Sequence, residues 1–129
     1  MQRTIPVLRI EDYETAKSHY VDWLGFAIDW EFRFGAGFPV YMQISRDGLL
    51  LHLTEHKGDC DFGGLVHVDV DDIDALWREW NAKRPEFDKR PELAPWNAMV
   101  MRIGDPFGNK LAINQALPES GGSVEEPHS

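Results

Sequence analysis

Apolar residues recur along this chain in two rhythms, and the order in which the rhythms follow one another is itself repeated. Phe26, Ile28, Trp30, Phe32 and Phe34 alternate with Ala27, Asp29, Glu31, Arg33 and Gly35. A period of two sustained this long predicts a strand with one apolar face. Tyr13, Ala16, Tyr20, Trp23 and Leu24 instead fall at helical spacing, predicting a helix over 13–24. Asp12 stands at its N-cap, Glu14 in its first turn and Gly25 at its end. A second helix is expected over 73–83, with Ile73, Leu76, Trp77 and Trp80 as its stripe, Asp72 as its cap and Pro85 beyond it. Shorter apolar runs mark strands near 4–10, 40–45, 49–54, 64–70, 98–103 and 110–114. Arg46-Asp47-Gly48 and Asp105-Pro106-Phe107-Gly108-Asn109 read as turns between them. A strand near 87–93 is interrupted by Pro91.

Sliding the sequence by sixty positions places Ile10-Glu11-Asp12 on Val70-Asp71-Asp72, Gly48 on Gly108, Leu51 on Leu111 and Leu53 on Ile113. Each triplet closes a strand and opens a helix, and each helix precedes three strands. The expected build is therefore α+β, a βαβββ module written twice. The chain reads as one domain over 1–116, with modules at about 4–57 and 62–116. The polar, glycine-rich stretch over 117–129 is expected to be a disordered tail.

Charge narrows the partners. Against 13 basic residues stand 22 acidic ones, a formal net charge of -9. Such a surface repels phosphate backbones, so nucleic acid and anionic membranes are poor partners, and a cationic ligand is favoured. The single cysteine, Cys60, lies among Asp59 and Asp61, which disfavour a thiolate. The amino terminus has no signal-like apolar region, and Leu49-Leu50-Leu51 is far too short to cross a bilayer. A cytoplasmic protein is expected. No Gly-x-Ser-x-Gly elbow is present, and Gly35-Ala36-Gly37 lacks the lysine and helix start of a phosphate loop.

Paired βαβββ modules are the build of the glyoxalase, bleomycin-resistance and extradiol-dioxygenase (vicinal-oxygen-chelate) superfamily, and several stretches resemble it. Pro6-Val7-Leu8-Arg9-Ile10-Glu11-Asp12 resembles its opening strand, and Tyr20-Val21-Asp22-Trp23-Leu24-Gly25-Phe26 the end of its first helix. Pro95-Trp96 and Asp105-Pro106-Phe107-Gly108-Asn109 resemble its closing hairpin. The likeness spans about 4–116 and is closest to the bleomycin-resistance proteins. It implies a curved mixed sheet around a cleft, helices on the outer face, and a symmetric homodimer.

Registered on those motifs, the superfamily's four metal-ligand positions fall at Ile5, His52, Leu65 and Ala112. Three of the four have no donor atom, whereas a catalytic divalent ion usually takes at least three protein ligands. His67, two residues after Leu65, is the one realistic partner for His52, and two imidazoles without a carboxylate make a poor site. No metal and no other cofactor is expected.

What the resemblance leaves is an aromatic ligand site. It puts Trp96 where a ring stacks on the bithiazole of bleomycin, Trp30 at the partner aromatic, and Phe34 or Phe38 at another. His52 and His67 would line the same cavity. Asp29, Glu31, Asp59 and Asp61 lie near these segments and suit a cationic tail. Phe26, Ile28 and Phe32 are expected in the core, and Trp30, which shares their face, could serve either role. Trp96 lies outside any periodic pattern, in Ala94-Pro95-Trp96-Asn97. Asn97 and Val100 depart from the glycine and glutamate the family often has there. The expected function is sequestration of a bleomycin-like antibiotic without chemical modification, conferring antibiotic resistance. The alternative is a metal-dependent lyase or dioxygenase with an altered site on His52 and His67.

Overall fold

The computed structural model describes residues 2–118, so the expected tail from 119 onward lies outside the described residues. The elements run β1 (Val7–Arg9), α1 (Tyr13–Lys17), a π-helical turn (Ser18–Trp23), β2 (Ala27–Phe32), β3 (Tyr41–Arg46) and β4 (Leu49–Thr54). The order then repeats as β5 (Leu65–Asp69), α2 (Ile73–Lys83), β6 (Glu92–Ala94), β7 (Ala98–Gly104) and β8 (Lys110–Ala116). Two four-stranded mixed sheets result, ordered β1-β4-β3-β2 and β5-β8-β7-β6. The strand order of the first half is thus reproduced in the second. The chain divides into two compact units, 1–66 with 104–111, and 67–103 with the segment from 112 onward.

In the first unit, the Asp12 carboxylate accepts from the Thr15 amide at 2.9 Å and caps α1. The expected helix then widens. The Leu24 amide donates to the His19 carbonyl five residues back, and the π-helical turn buries His19, Tyr20 and Trp23 together. Gly25, at φ 85°, ends it. Asp47 (φ 49°) and Gly48 (φ 86°) are both left-handed, the conformation a tight hairpin between β3 and β4 requires. Val40, Met42 and Ile44 are fully buried, as is Leu53, with Leu51 nearly so. They form the core with Leu8, Ile10, Tyr20 and Leu24.

The expected alternation along β2 does not hold. Ile28 pairs with Ile44, but the next pairing is Trp30 with Gln43, so one extra residue, Asp29, is inserted as a bulge. Without the bulge Trp30 would oppose the buried Met42. With it, Trp30 and Phe32 turn to the other face and are 44% and 49% exposed. Only Phe26 of the alternating series is fully in the core, and Ile28 is half-buried. The expectation that Phe32 packs inward is therefore corrected.

In the second unit α2 has the expected bounds, and Asp72 caps it by accepting from the Ala75 amide at 3.0 Å. Ile73 and Trp80 are its buried residues. The strand expected near 87–93 shrinks to β6, which starts just after Pro91 because proline supplies no N–H to the ladder. Among the described residues no helix is long and apolar enough to cross a membrane.

Candidate functional site

The bulge decides which side chains of the first unit meet on one face. Trp30, Gln43, His52 and Val7 are successive register partners across β2, β3, β4 and β1. They form a row on the face opposite the buried Met42 and Leu53. Tyr41, two residues before Gln43, shares that face. The Trp30 and Tyr41 rings are nearly parallel, 11° apart with centroids at 6.1 Å. The His52 ring stands edge-on to both, at 5.3 Å from Trp30 and 5.2 Å from Tyr41.

His52 is held at both nitrogens. Tyr41 Oη lies 2.8 Å from Nδ1, and Gln43 Oε1 lies 2.9 Å from Nε2. Gln43 Nε2 donates onward to Asp29 at 2.9 Å, and Ser45 Oγ donates to the other Asp29 oxygen at 2.9 Å. Burial, and secondarily the charge of Arg3, moves the imidazole below the ordinary histidine range, so the neutral ring is favoured. Tyr41 is pushed upward, chiefly by burial and then by Asp59 and Cys60.

Beyond β2 the chain carries Phe34 and Phe38, 75% and 54% exposed. Phe34 packs edge-on against Phe32 at 4.9 Å and His56 at 6.2 Å. The loop is tied at two points. Arg33 donates to the Phe38 carbonyl at 2.8 Å, and Glu55 accepts from the Val40 amide at 2.9 Å. Glu31 accepts from Tyr13 at 2.5 Å, which with burial pushes the Tyr13 phenol up to about 12.

In the second unit Trp96 sits at the tip of the β6–β7 hairpin and is 61% exposed. The Asn97 amide closes the turn onto the Ala94 carbonyl at 3.1 Å, with Asn97 left-handed at φ 61°. That is a conformation asparagine tolerates well. Trp96, Leu93, Val100 and Met101 line an open depression of about 730 Å³. Its charged lining is mixed, with Lys89, Arg90 and Arg102 against Asp88 and Glu92. His67 is exposed, and its Nδ1 lies 3.3 Å from Asn114 Nδ2.

Within the first unit, then, Trp30 and His52 come together, and Phe34 and Phe38 follow on the adjoining loop. Trp96 and His67 belong to the second unit. Sequence reasoning missed Tyr41 and Gln43, although the polar alternation Tyr41, Gln43, Ser45 against Val40, Met42, Ile44 marks a solvent-side strand face.

The donor set does not suit a divalent ion. Ile5, Leu65 and Ala112 have no donor atoms, and both His52 nitrogens already have partners. Among the described residues no three His, Cys, Asp or Glu are grouped as a metal site.

The sequence pattern of a family described as "Glyoxalase superfamily protein" matches residues 1–119. No curated protein matches the chain. Among solved structures it is similar to a bleomycin-binding protein complexed with bleomycin, at 25% identity and a TM-score of 0.67, over 91% of this chain and 100% of that one. It is also similar to a bleomycin resistance determinant encoded on the transposon Tn5, at 25% identity and a TM-score of 0.69, over 90% and 98%. TnmS3, an antibiotic-binding protein from Streptomyces sp. CB03234, shares the fold at 22% identity and a TM-score of 0.71, over 91% and 97%. With the repeated βαβββ order, the common sheet topology and a family match over nearly the whole chain, this protein belongs to the glyoxalase superfamily.

Proposed function

We propose that this protein binds a flat, cationic, bleomycin-like antibiotic and sequesters it in the cytoplasm without modifying it. One observation carries the reading: large aromatic side chains lie exposed where a folded monomer would normally bury them. Trp30, Phe34, Phe38 and Trp96 are each 44–75% exposed. Aromatic rings bind flat heterocycles through area and stacking geometry together. The likeness to a bleomycin-binding protein and to a bleomycin resistance determinant supports the same ligand class. His52, edge-on to Trp30, and exposed His67 on β5 complete the proposed set as its polar groups. The net charge of -9 favours a ligand with a cationic tail.

The reading includes a symmetric homodimer, since exposed aromatic surface of this kind is usually covered by a partner. Bleomycin is expected to bind saturably in calorimetry, with sedimentation reporting a dimer. Trp96→Ala should weaken binding by about 1–2 kcal/mol, the value of one aromatic contact. Recovered drug should be chemically intact. Absence of heat at high micromolar bleomycin rejects the ligand, and modified drug rejects sequestration.

A further inference from the structure

The chain of hydrogen bonds on the Trp30 face has a direction, and the direction follows from its last member. Asp29 is a carboxylate and only accepts. Gln43 must therefore turn its NH₂ toward Asp29, where Nε2 lies 2.9 Å from Oδ2, since the flipped amide would set oxygen against oxygen. Gln43 Oε1 is then left for His52, so Nε2 of the ring carries the proton and donates at 2.9 Å. A neutral imidazole has one N–H, so Nδ1 is an acceptor. Tyr41 lies 2.8 Å from Nδ1 and must give its one proton to it. The depressed pKa of His52 is consistent with the neutral ring this ordering needs.

We infer that Asp29 orders the protons of Gln43, His52 and Tyr41 so that Tyr41 Oη meets a ligand only as a hydrogen-bond acceptor, making this face selective for flat ligands with an N–H donor. The inference rests on the reading of the Trp30 face as a ligand surface, and it adds the polarity of the group recognised there. Tyr41 is half-buried and its ring lies nearly parallel to that of exposed Trp30 with centroids 6.1 Å apart, so in this reading a planar ligand covering the indole lies beside the phenol and within reach of its oxygen. A ligand edge that offers only an acceptor meets lone pair against lone pair, and is penalised by roughly the worth of one hydrogen bond.

Carbazole and dibenzofuran test this directly. Both are flat, neutral tricycles of nearly one shape, differing in N–H against ether oxygen, so overall charge has no part in the comparison. The wild-type protein should bind carbazole about ten-fold more tightly, a ratio of one net hydrogen bond. Tyr41→Phe should bring that ratio to about one. Asp29→Asn makes the sharper test, because asparagine can donate to Gln43 and so permits every bond in the chain to reverse. Tyr41 could then present its proton outward, and dibenzofuran should bind more tightly than it does to the wild type. A purely structural role for Asp29 would not produce that gain. Equal affinities in the wild type, or an undiminished carbazole preference in Asp29→Asn, overturn the inference. Bleomycin titrated separately keeps the two questions apart: failure of bleomycin with the carbazole preference intact rejects the antibiotic and leaves the polarity standing.

Discussion

The hydroxyl of Tyr20 donates to Asp105 at 2.6 Å, joining the first helix to a turn 85 positions later. Tyr20 is fully buried, and its phenol is driven far above the usual tyrosine range, first by burial and then by the Asp105 charge. It therefore stays protonated and remains the donor. Asp105 also accepts from the amides of Phe107 and Asn109, each at 2.8 Å. Tyr20→Phe removes one of several donors and keeps the ring, so the loss should be about 1.5 kcal/mol, the low end for a bond to a charged group. A shifted urea midpoint at unchanged slope is the expected reading.

Asn109 is the more critical member of this turn. It is 1% exposed and uses all its hydrogen-bonding capacity. Nδ2 donates to the Arg9 carbonyl at 2.7 Å and to Asp105 at 2.9 Å, while Oδ1 accepts from the amides of Gly63 and Gly64 at 3.0 and 2.9 Å. Asn109→Ala leaves two amides and a carbonyl without this partner. The expected loss is roughly 2–4 kcal/mol, read by thermal or urea unfolding. Asn109→Asp should do no better, because a carboxylate beside Asp105 cannot donate to Arg9.

Acid should weaken the fold through His52. Its native pKa is lowered by burial and then by Arg3, so below about 6.5 the unfolded chain binds the proton more readily than the native one. The contribution of His52 is therefore complete above the unfolded value. It is lost as pH falls from there through the lowered native value. Urea midpoints compared between neutral pH and pH about 5 should fall less in His52→Gln than in the wild type. An equal fall in both would show that other groups carry the acid sensitivity.

The sequence by itself determined the elements and their repetition. Asp12 and Asp72 cap helices where their positions before apolar stripes indicate, and Asp47-Gly48 makes the hairpin such a pair favours. These are local effects of backbone and nearest neighbours, so they are legible locally. The family likeness rested on the same motifs. The candidate site was legible as residue types and less so as an arrangement. Trp96 and Phe38 stand exposed in loops, as their place outside the periodic patterns suggests, whereas Phe34, which the alternation counts on the apolar face, is exposed as well.

Only the tertiary structure decided the face of Trp30. A strict period of two puts Trp30 with Phe26 and Ile28, but the inserted Asp29 turns it toward Gln43 and His52. A bulge is chosen by pairing with the neighbouring strand, and its extra residue looks like any other in the one-dimensional pattern. The same limit hid Tyr41 and the four bonds of Asn109, whose partners at positions 9, 63 and 64 lie far away in sequence. Alternation records which side chains are apolar, whereas strand register decides which of them share a face.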